Sequence, residues 1–533
     1  MNRLAGVRLL TRLALRRDRI MLPAWVYVIT VGVASTGYTF KKLYPEPAQR
    51  MGLVAGGGHN PALVFLYGKL YGDSVGALTA WRYGVWAAIF ATLMSIFAVV
   101  RHTRADEESG RGELIGSAVV GRHAPLTVAL AVAGLGNAAL ALLIAVALTV
   151  IGLPAGGSAA FALAVAACGI AFAFIAALAA QVMPGARAAR GIALGVLGAA
   201  YLLRAVGDSL GAQGPSWLSW LSPLGWTESV RPFAGPRWWV LALPAGLALL
   251  AGGAAYALAA RRDYGAGLMP GRPGRPQASG LLSGVSGLAW RLQQSALAGW
   301  VAGFMFMGAV CGAAGKGIGS LLGSSTQLRH EFTRLSGQTA ITNAYLAALV
   351  TLAGLVAAAY AVSAVLRLRS EETGELAEPV LATAAGRLRW GLSHVTIAVT
   401  GTAALLASAG LAIGLGYGLR AGDAGAEVPR LLGAALAQLP ASLAIAGVAV
   451  ALFGVIPRAC VGGGWAAVAA ALLVVLFGSL LRFPQWIMDI SPFTHVPKLP
   501  GGAVHAAPLL WLSVAAVALA AAGLATFRLR DIG

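Results

Sequence analysis

The chain is 533 residues long, 58% hydrophobic and 11% charged, with a mean hydropathy of +0.77. Water-soluble domains carry roughly 25% charged residues, so these values exclude a soluble globule. The formal charge of +20 comes with no basic stripe interleaved with aromatics, which gives no ground for a nucleic-acid partner.

In chain order, residues 3–19 set Leu4, Val7, Leu10, Leu13 and Leu15 against Arg8, Arg12, Arg16 and Arg19, the pattern of an amphipathic helix lying in the headgroup plane. Twelve apolar runs follow, at about 20–40, 79–100, 125–153, 158–182, 188–206, 238–260, 296–315, 341–366, 392–418, 431–456, 462–481 and 507–527. Most reach the ~20 residues needed to cross a ~30 Å hydrocarbon core. The fold class is therefore an all-α polytopic membrane protein of about 12 transmembrane helices. Between the second and third runs lies Glu107-Glu108-Ser109-Gly110-Arg111-Gly112-Glu113, closing with Gly121-Arg122. Between the eighth and ninth lies Glu371-Glu372-Thr373-Gly374-Glu375-Leu376-Ala377-Glu378, closing with Gly386-Arg387. Each acidic turn leads into an apolar stretch (Leu114, Ile115, Ala118, Val119; Val380, Leu381, Ala384) with a basic end. This pattern predicts a short helix whose macrodipole is complemented at both ends, presenting a face to a soluble partner.

Other pairs repeat too: Trp25-Val26 with Trp300-Val301, and Leu221-Ser222-Pro223-Leu224 with Ile490-Ser491-Pro492-Phe493. The chain thus reads as two parallel six-helix repeats, 1–265 and 291–533. A linker at 266–290 joins them and contains Gly271-Arg272-Pro273-Gly274-Arg275-Pro276. Residues 281–295 read as a second amphipathic helix, the counterpart of 3–19. The Trp-rich segment Pro215–Pro223 and its counterpart Pro484–Met488 suit re-entrant or interfacial helices. With both termini in the cytoplasm, the inside segments hold more than half of the 39 Lys and Arg residues, as the positive-inside rule requires. The expected location is the plasma membrane.

Groups for chemistry are scarce. Cys168, Cys311 and Cys460 stand singly and the histidines are dispersed, so no disulfide framework or metal spacing is present. A phosphate-cradling loop needs Gly-x-x-x-x-Gly-Lys-Ser/Thr. Gly312-Ala313-Ala314-Gly315-Lys316-Gly317 lacks the hydroxyl and the first glycine spacing, and Gly56-Gly57-Gly58 and Gly317-Ile318-Gly319 read as external turns. No cofactor is expected in this chain. Arg82, Arg204 and Lys316 fall at span ends, and no ionisable residue falls near the middle of a span. That weakens a proton-driven secondary multidrug transporter; a non-transporting membrane scaffold is a further alternative. Asn137 and Gln438 are possible polar residues of a transport pathway, although an interhelical hydrogen bond explains either.

These features together resemble the permease subunits of ABC-2-type exporters, in particular the double-length, actinobacterial-type permeases of polyketide-antibiotic (tetronasin-like) exporters. The resemblance covers nearly the whole chain. It rests on the duplicated spans, the Glu-Glu-x-Gly…Gly-Arg loops, the N-terminal interfacial helix and the Ser-Pro external segments. It implies that the loop after spans two and eight couples to a separate ATPase through Glu107, Glu108, Gly110, Arg111, Glu113 and Arg122, and through Glu371, Glu372, Gly374, Glu378 and Arg387. It also implies two copies of a soluble ABC ATPase carrying ATP and Mg, and a small hydrophobic or amphipathic substrate exported from membrane lipid. The second loop has one extra residue, Glu375 where arginine is expected, and Pro379, so the two docking surfaces need not be equal.

Overall fold

The computed structural model describes residues 3–57, 61–210, 216–263, 267–269, 277, 280, 284–322, 337–477, 484–503 and 505–530. Among these, regular structure is entirely helical. Among the described residues, eleven segments are long and apolar enough to cross a membrane, with Cys460–Leu476 as a shorter apolar helix. The protein is an all-α, multi-pass membrane protein of about twelve spans. It divides into two compact units, Met1–Gly274 and Arg275–Gly533.

Unit 1 opens with α1 (Val7–Arg17) and α2 (Met21–Leu43), then short α3 (Pro47–Gly57) and α4 (Pro61–Tyr67). The long α5 (Val75–Arg101) leads into α6 (Arg104–Glu108) and α7 (Arg111–Gly116). Next come α8 (Ala124–Val150), α9 (Ala155–Val182), α10 (Ala186–Leu210), α11 (Trp217–Trp220), α12 (Pro223–Ser229) and α13 (Ala242–Ala259). Helices α5, α8 and α9 form the centre. Buried alanines on α5 and α9 (Ala87, Ala91, Ala162, Ala166) let the backbones come close, since packing drives association where lipid is as apolar as the side chains. Asn137 on α8 is fully buried and donates to Ser95 Oγ on α5 (2.8 Å) and to Ala133 O (2.8 Å). It is thus an interhelical tie.

Unit 2 holds α14 (Val285–Leu322), α15 (Gly337–Val365), α16 (Arg367–Thr373), α17 (Ala377–Leu381), α18 (Arg387–Ala421), α19 (Ala424–Leu436), α20 (Leu439–Val455), α21 (Cys460–Phe477), α22 (Gln485–Met488) and α23 (Ala506–Leu529). Helix α14 lies along α18, and α20 lies along α23. Gly454 sits against the Gly523 carbonyl, an approach that leaves no room for a Cβ. Gln438 is buried at the break between α19 and α20, packed against Gly354.

Three expectations change. Residues 285–295 are not a separate amphipathic helix but the start of the unbroken α14. In unit 1 the chain turns after α1 at Asp18, which is held by His102 and Arg101; in the register set by Trp25 and Trp300, unit 2 has Gln293, and the helix runs on. Gly56 and Gly57 end a helix, and 317–319 lie inside α14 rather than in a turn. The run at 431–456 is two helices, broken at Ala437–Gln438 with Pro440 in the first turn of the second. Gly271–Pro276, Gly58, Pro215, Leu281 and Leu282 lie outside the described residues.

Candidate functional site: the loop after the second span and its counterpart

The chain leaves α5 at Arg101 and folds into α6, turns at Gly110 (φ 71°) and forms α7. That left-handed turn favours glycine, which has no Cβ to clash. Residues Gly121 and His123 then donate backbone hydrogen bonds to Ala5 O (3.0 Å) and Arg3 O (3.1 Å), so the loop is laced to the chain entering α1.

Three carboxylates organise the loop. Asp106 takes two hydrogen bonds from the Arg17 guanidinium at the end of α1 (2.8 and 3.0 Å). Glu107 accepts from Arg104 Nη1 (2.8 Å) and from Arg262 Nη2 (2.5 Å), just past α13. Glu108 accepts from the Ala186 amide (2.7 Å) and so caps the start of α10. Arg122 closes the loop onto the same helix end, donating to Ala259 O (3.1 Å) and Arg262 O (2.9 Å). Beside this cluster Asp18 meets His102 Nε2 (2.6 Å) and Arg101 Nη1 (3.0 Å). Burial alone would raise the Asp18 carboxyl, but the His102 hydrogen bond and the Arg101 and Arg17 charges outweigh it and hold it below the usual aspartate range.

The second loop repeats this plan. Glu372 accepts from Arg369 Nη1 (2.9 Å) and from Arg530 Nη2 at the end of α23. Arg387 donates to Arg530 O (2.7 Å). Glu371 accepts from Arg367 Nε (3.1 Å) and faces His394 Nε2 (3.4 Å), whose Nδ1 meets Gln293 (3.2 Å). The left-handed position here is Glu375 (φ 56°), one residue beyond Gly374.

Counting back from the glycines matches Glu107-Glu108 with Glu371-Glu372. The geometry instead matches Glu107 with Glu372 and Asp106 with Glu371. The key carboxylate in each loop pairs with an arginine three residues earlier and with one at the end of the unit's last span. Sequence reasoning missed Asp106, Arg104, Arg262, Arg369 and Arg530. The signal was present as Arg104-Ala105-Asp106-Glu107 beside Arg369-Ser370-Glu371-Glu372, and as Arg-Asp at 262–263 and 530–531. The outward faces are different residues: Arg111, Glu113, Leu114 (77% exposed) and Val119 (78%) in the first loop, Leu376 (62%) and Glu378 in the second.

Unit 1 also buries charge far from its loops. Arg204 is fully enclosed, with its Nε 3.4 Å from Glu228 and Nη1 4.0 Å from Asp208, which accepts from Ser219 Oγ (2.7 Å). Burial first, then the Asp208 charge, pushes the Glu228 carboxyl well above the usual range. The reading of Arg204 as a span-end residue missed this: Asp208 stands four residues on along the same helix, α10, and Glu228 on α12 is brought to it by the fold between the fifth and sixth spans.

A family model described as "Multidrug efflux system permease Rv1217c, C-terminal domain" matches residues 282–528. The multidrug efflux system permease protein Rv1217c of Mycobacterium tuberculosis (strain ATCC 25618 / H37Rv) is 44% identical over 524 residues, covering 98% of this chain and 94% of the relative.

Proposed function

We propose a function from one premise: this chain belongs to the family of multidrug efflux system permeases. It is a membrane permease for drug efflux, a transporter subunit rather than an enzyme. In the finer reading it sits in the plasma membrane with both termini cytoplasmic and exports hydrophobic or amphipathic compounds. A separate soluble ABC ATPase powers it, with two copies, each with ATP and Mg, seated on the two loops.

The observation that supports this reading is the repeated clamp. Each loop is tied by a carboxylate, Glu107 or Glu372, to an arginine that ends the last span of its unit, Arg262 or Arg530. A partner pushing on Leu114, Val119 or Leu376 therefore loads a membrane helix directly. The exposed side chains dock, and the half-buried Glu107 and Glu372 transmit.

The test is to purify the permease from its native membrane in mild detergent and to look for a copurifying soluble ABC ATPase. Leu114→Asp with Leu376→Asp is expected to abolish copurification while leaving the fold intact. Drug efflux that persists without ATP and collapses with the proton gradient would overturn the reading. One observation favours that rival: the enclosed Arg204–Asp208–Glu228 group is of the kind found in proton relays.

A further inference from the structure

Repeated strings set the two units in register. Gly121-Arg122 pairs with Gly386-Arg387, Val182-Met183-Pro184 with Val455-Ile456-Pro457, and Arg262-Asp263 with Arg530-Asp531. At the loop end this sets Pro125 opposite Trp390 and Ala259 opposite Phe527. Pro125 and Ala259 line a cavity of about 320 Å³ in unit 1, whereas in unit 2 the Trp390 and Phe527 rings fill the space with centroids 5.6 Å apart.

Along the same helices the contrast is then reversed. In unit 1 the Phe174 ring on α9 packs against Gly252 on α13. Tyr256, one turn on from Gly252, shares a hydrogen bond with the Thr127 hydroxyl on α8 (2.8 Å) and stands edge-on to His123, with ring centroids 5.5 Å apart. The counterparts of Phe174, Gly252, Tyr256, Thr127 and His123 in unit 2 are Gly447, Ala520, Leu524, Leu392 and Leu388. All five line an open groove of about 780 Å³ between α18, α20 and α23. Its wall is almost wholly apolar, and its size lies within the range of small-molecule sites.

The charges differ in the same sense. Arg528 lines the groove at its loop end. Arg389 lines a neighbouring hollow of about 490 Å³ together with Ser286, Ser393 and Thr396, and Leu388 and Leu392 are walls of both spaces. Unit 1 has Ala260 and Ala124 at the two arginine positions. Both arginines are exposed, and neither forms a hydrogen bond or ion pair with a described residue. Among the described residues no acidic side chain lines either space. An apolar groove alone would accept any hydrocarbon. Two uncompensated cations at one end of it select an anion joined to a chain. Basic side chains near a bilayer surface attract anionic headgroups, and the guanidinium fork matches phosphate oxygens.

We propose that this flank of unit 2 is a binding site for an anionic glycerophospholipid, its acyl chain in the groove between α18, α20 and α23 and its phosphate held by Arg528 and Arg389. The polar hollow beside Arg389 receives the hydroxyls of the headgroup. The lipid thereby rests on the two helices, α18 and α23, that Arg387 and Arg530 join at the second loop.

The test uses the full-length, delipidated permease in detergent, without ATPase or ATP, so that its failure leaves the efflux reading untouched. Native mass spectrometry follows titration with phosphatidylglycerol or phosphatidylcholine of the same chains. Phosphatidylglycerol should bind at least about tenfold more tightly, since each arginine near a headgroup contributes about fivefold. Arg389→Gln with Arg528→Gln changes two exposed side chains and should bring the two lipids within about twofold of each other. Ala521→Phe, at an exposed position of the groove wall, should weaken both lipids alike by about tenfold, as if two methylenes were denied burial. Glycerophosphoglycerol, which has the charge without the chains, should not compete. Equal binding of the two lipids by the wild type, a preference that survives loss of both arginines, indifference to Ala521→Phe, or displacement by the soluble headgroup would each overturn the proposal.

Discussion

The loop ends of the two units share a clamp and differ in their interior. In both, a loop carboxylate takes one arginine from its own short helix and one from the end of the last span, and the loop-closing arginine grips that same end. Behind the clamp, unit 2 is filled by tilted aromatic rings and unit 1 holds a cavity. The same clamp over different packing indicates that the clamp is common to both units, while the space behind it is free to differ. The same contrast holds at the entry helix. Asp18 meets His102 in unit 1, Gln293 meets His394 in unit 2, and only the first chain turns there.

Four substitutions break or sharpen this comparison, each measured by reversible unfolding in detergent or bilayer. Phe527→Ala should cost about 3–5 kcal/mol, as for large aromatic deletions from a packed interior. The reverse change, Ala259→Phe, should cost less than about 1 kcal/mol, because the cavity has room. A large cost for Ala259→Phe would show that unit 1 is not open. Glu372→Ala should cost about 2–3 kcal/mol, since it strands Arg530 and Arg369 with only partial access to water, and Glu107→Ala should match it within about 1 kcal/mol. Unequal costs would mean that the two clamps are not alike.

Asp18→Asn should cost about 1.5–3 kcal/mol at neutral pH, the range for a hydrogen bond to a charged group. The Asp18 carboxyl titrates lower when folded than its ordinary value of 3.8. The wild-type advantage is therefore complete above that value and is lost as pH falls through the lower, folded one. Gln293→Ala in unit 2 should show no acid step of its own. Asn137→Ala, away from both loop ends, should cost only about 0.6 kcal/mol, the average for an interhelical membrane hydrogen bond.

Much of this was legible in the sequence. Runs of apolar residues give the spans because lipid forces every backbone group into a helix, and repeated strings expose the duplication. The acidic loops were visible, but not which face their acids turn. Glu107 and Glu372 read as exposed handles, yet they point inward to arginines roughly 155 residues along the chain. No local pattern encodes that. The cavity was equally hidden, since Pro125 and Ala259 line it where unit 2 has Trp390 and Phe527, and small residues in an alanine-rich chain carry no signal until the larger counterparts are set beside them. Helix α14 ran past its expected start for a related reason: amphipathic spacing continues smoothly into a span when no residue like Asp18 forces a turn.

The clamp is the central claim, and drug efflux from inverted vesicles tests it. Glu107→Gln with Glu372→Gln should leave the exposed docking faces and bound ATPase in place while reducing ATP-driven efflux at least about tenfold, the equivalent of roughly 1.4 kcal/mol. Efflux at the wild-type rate with the ATPase still bound would show that force does not pass through these carboxylates.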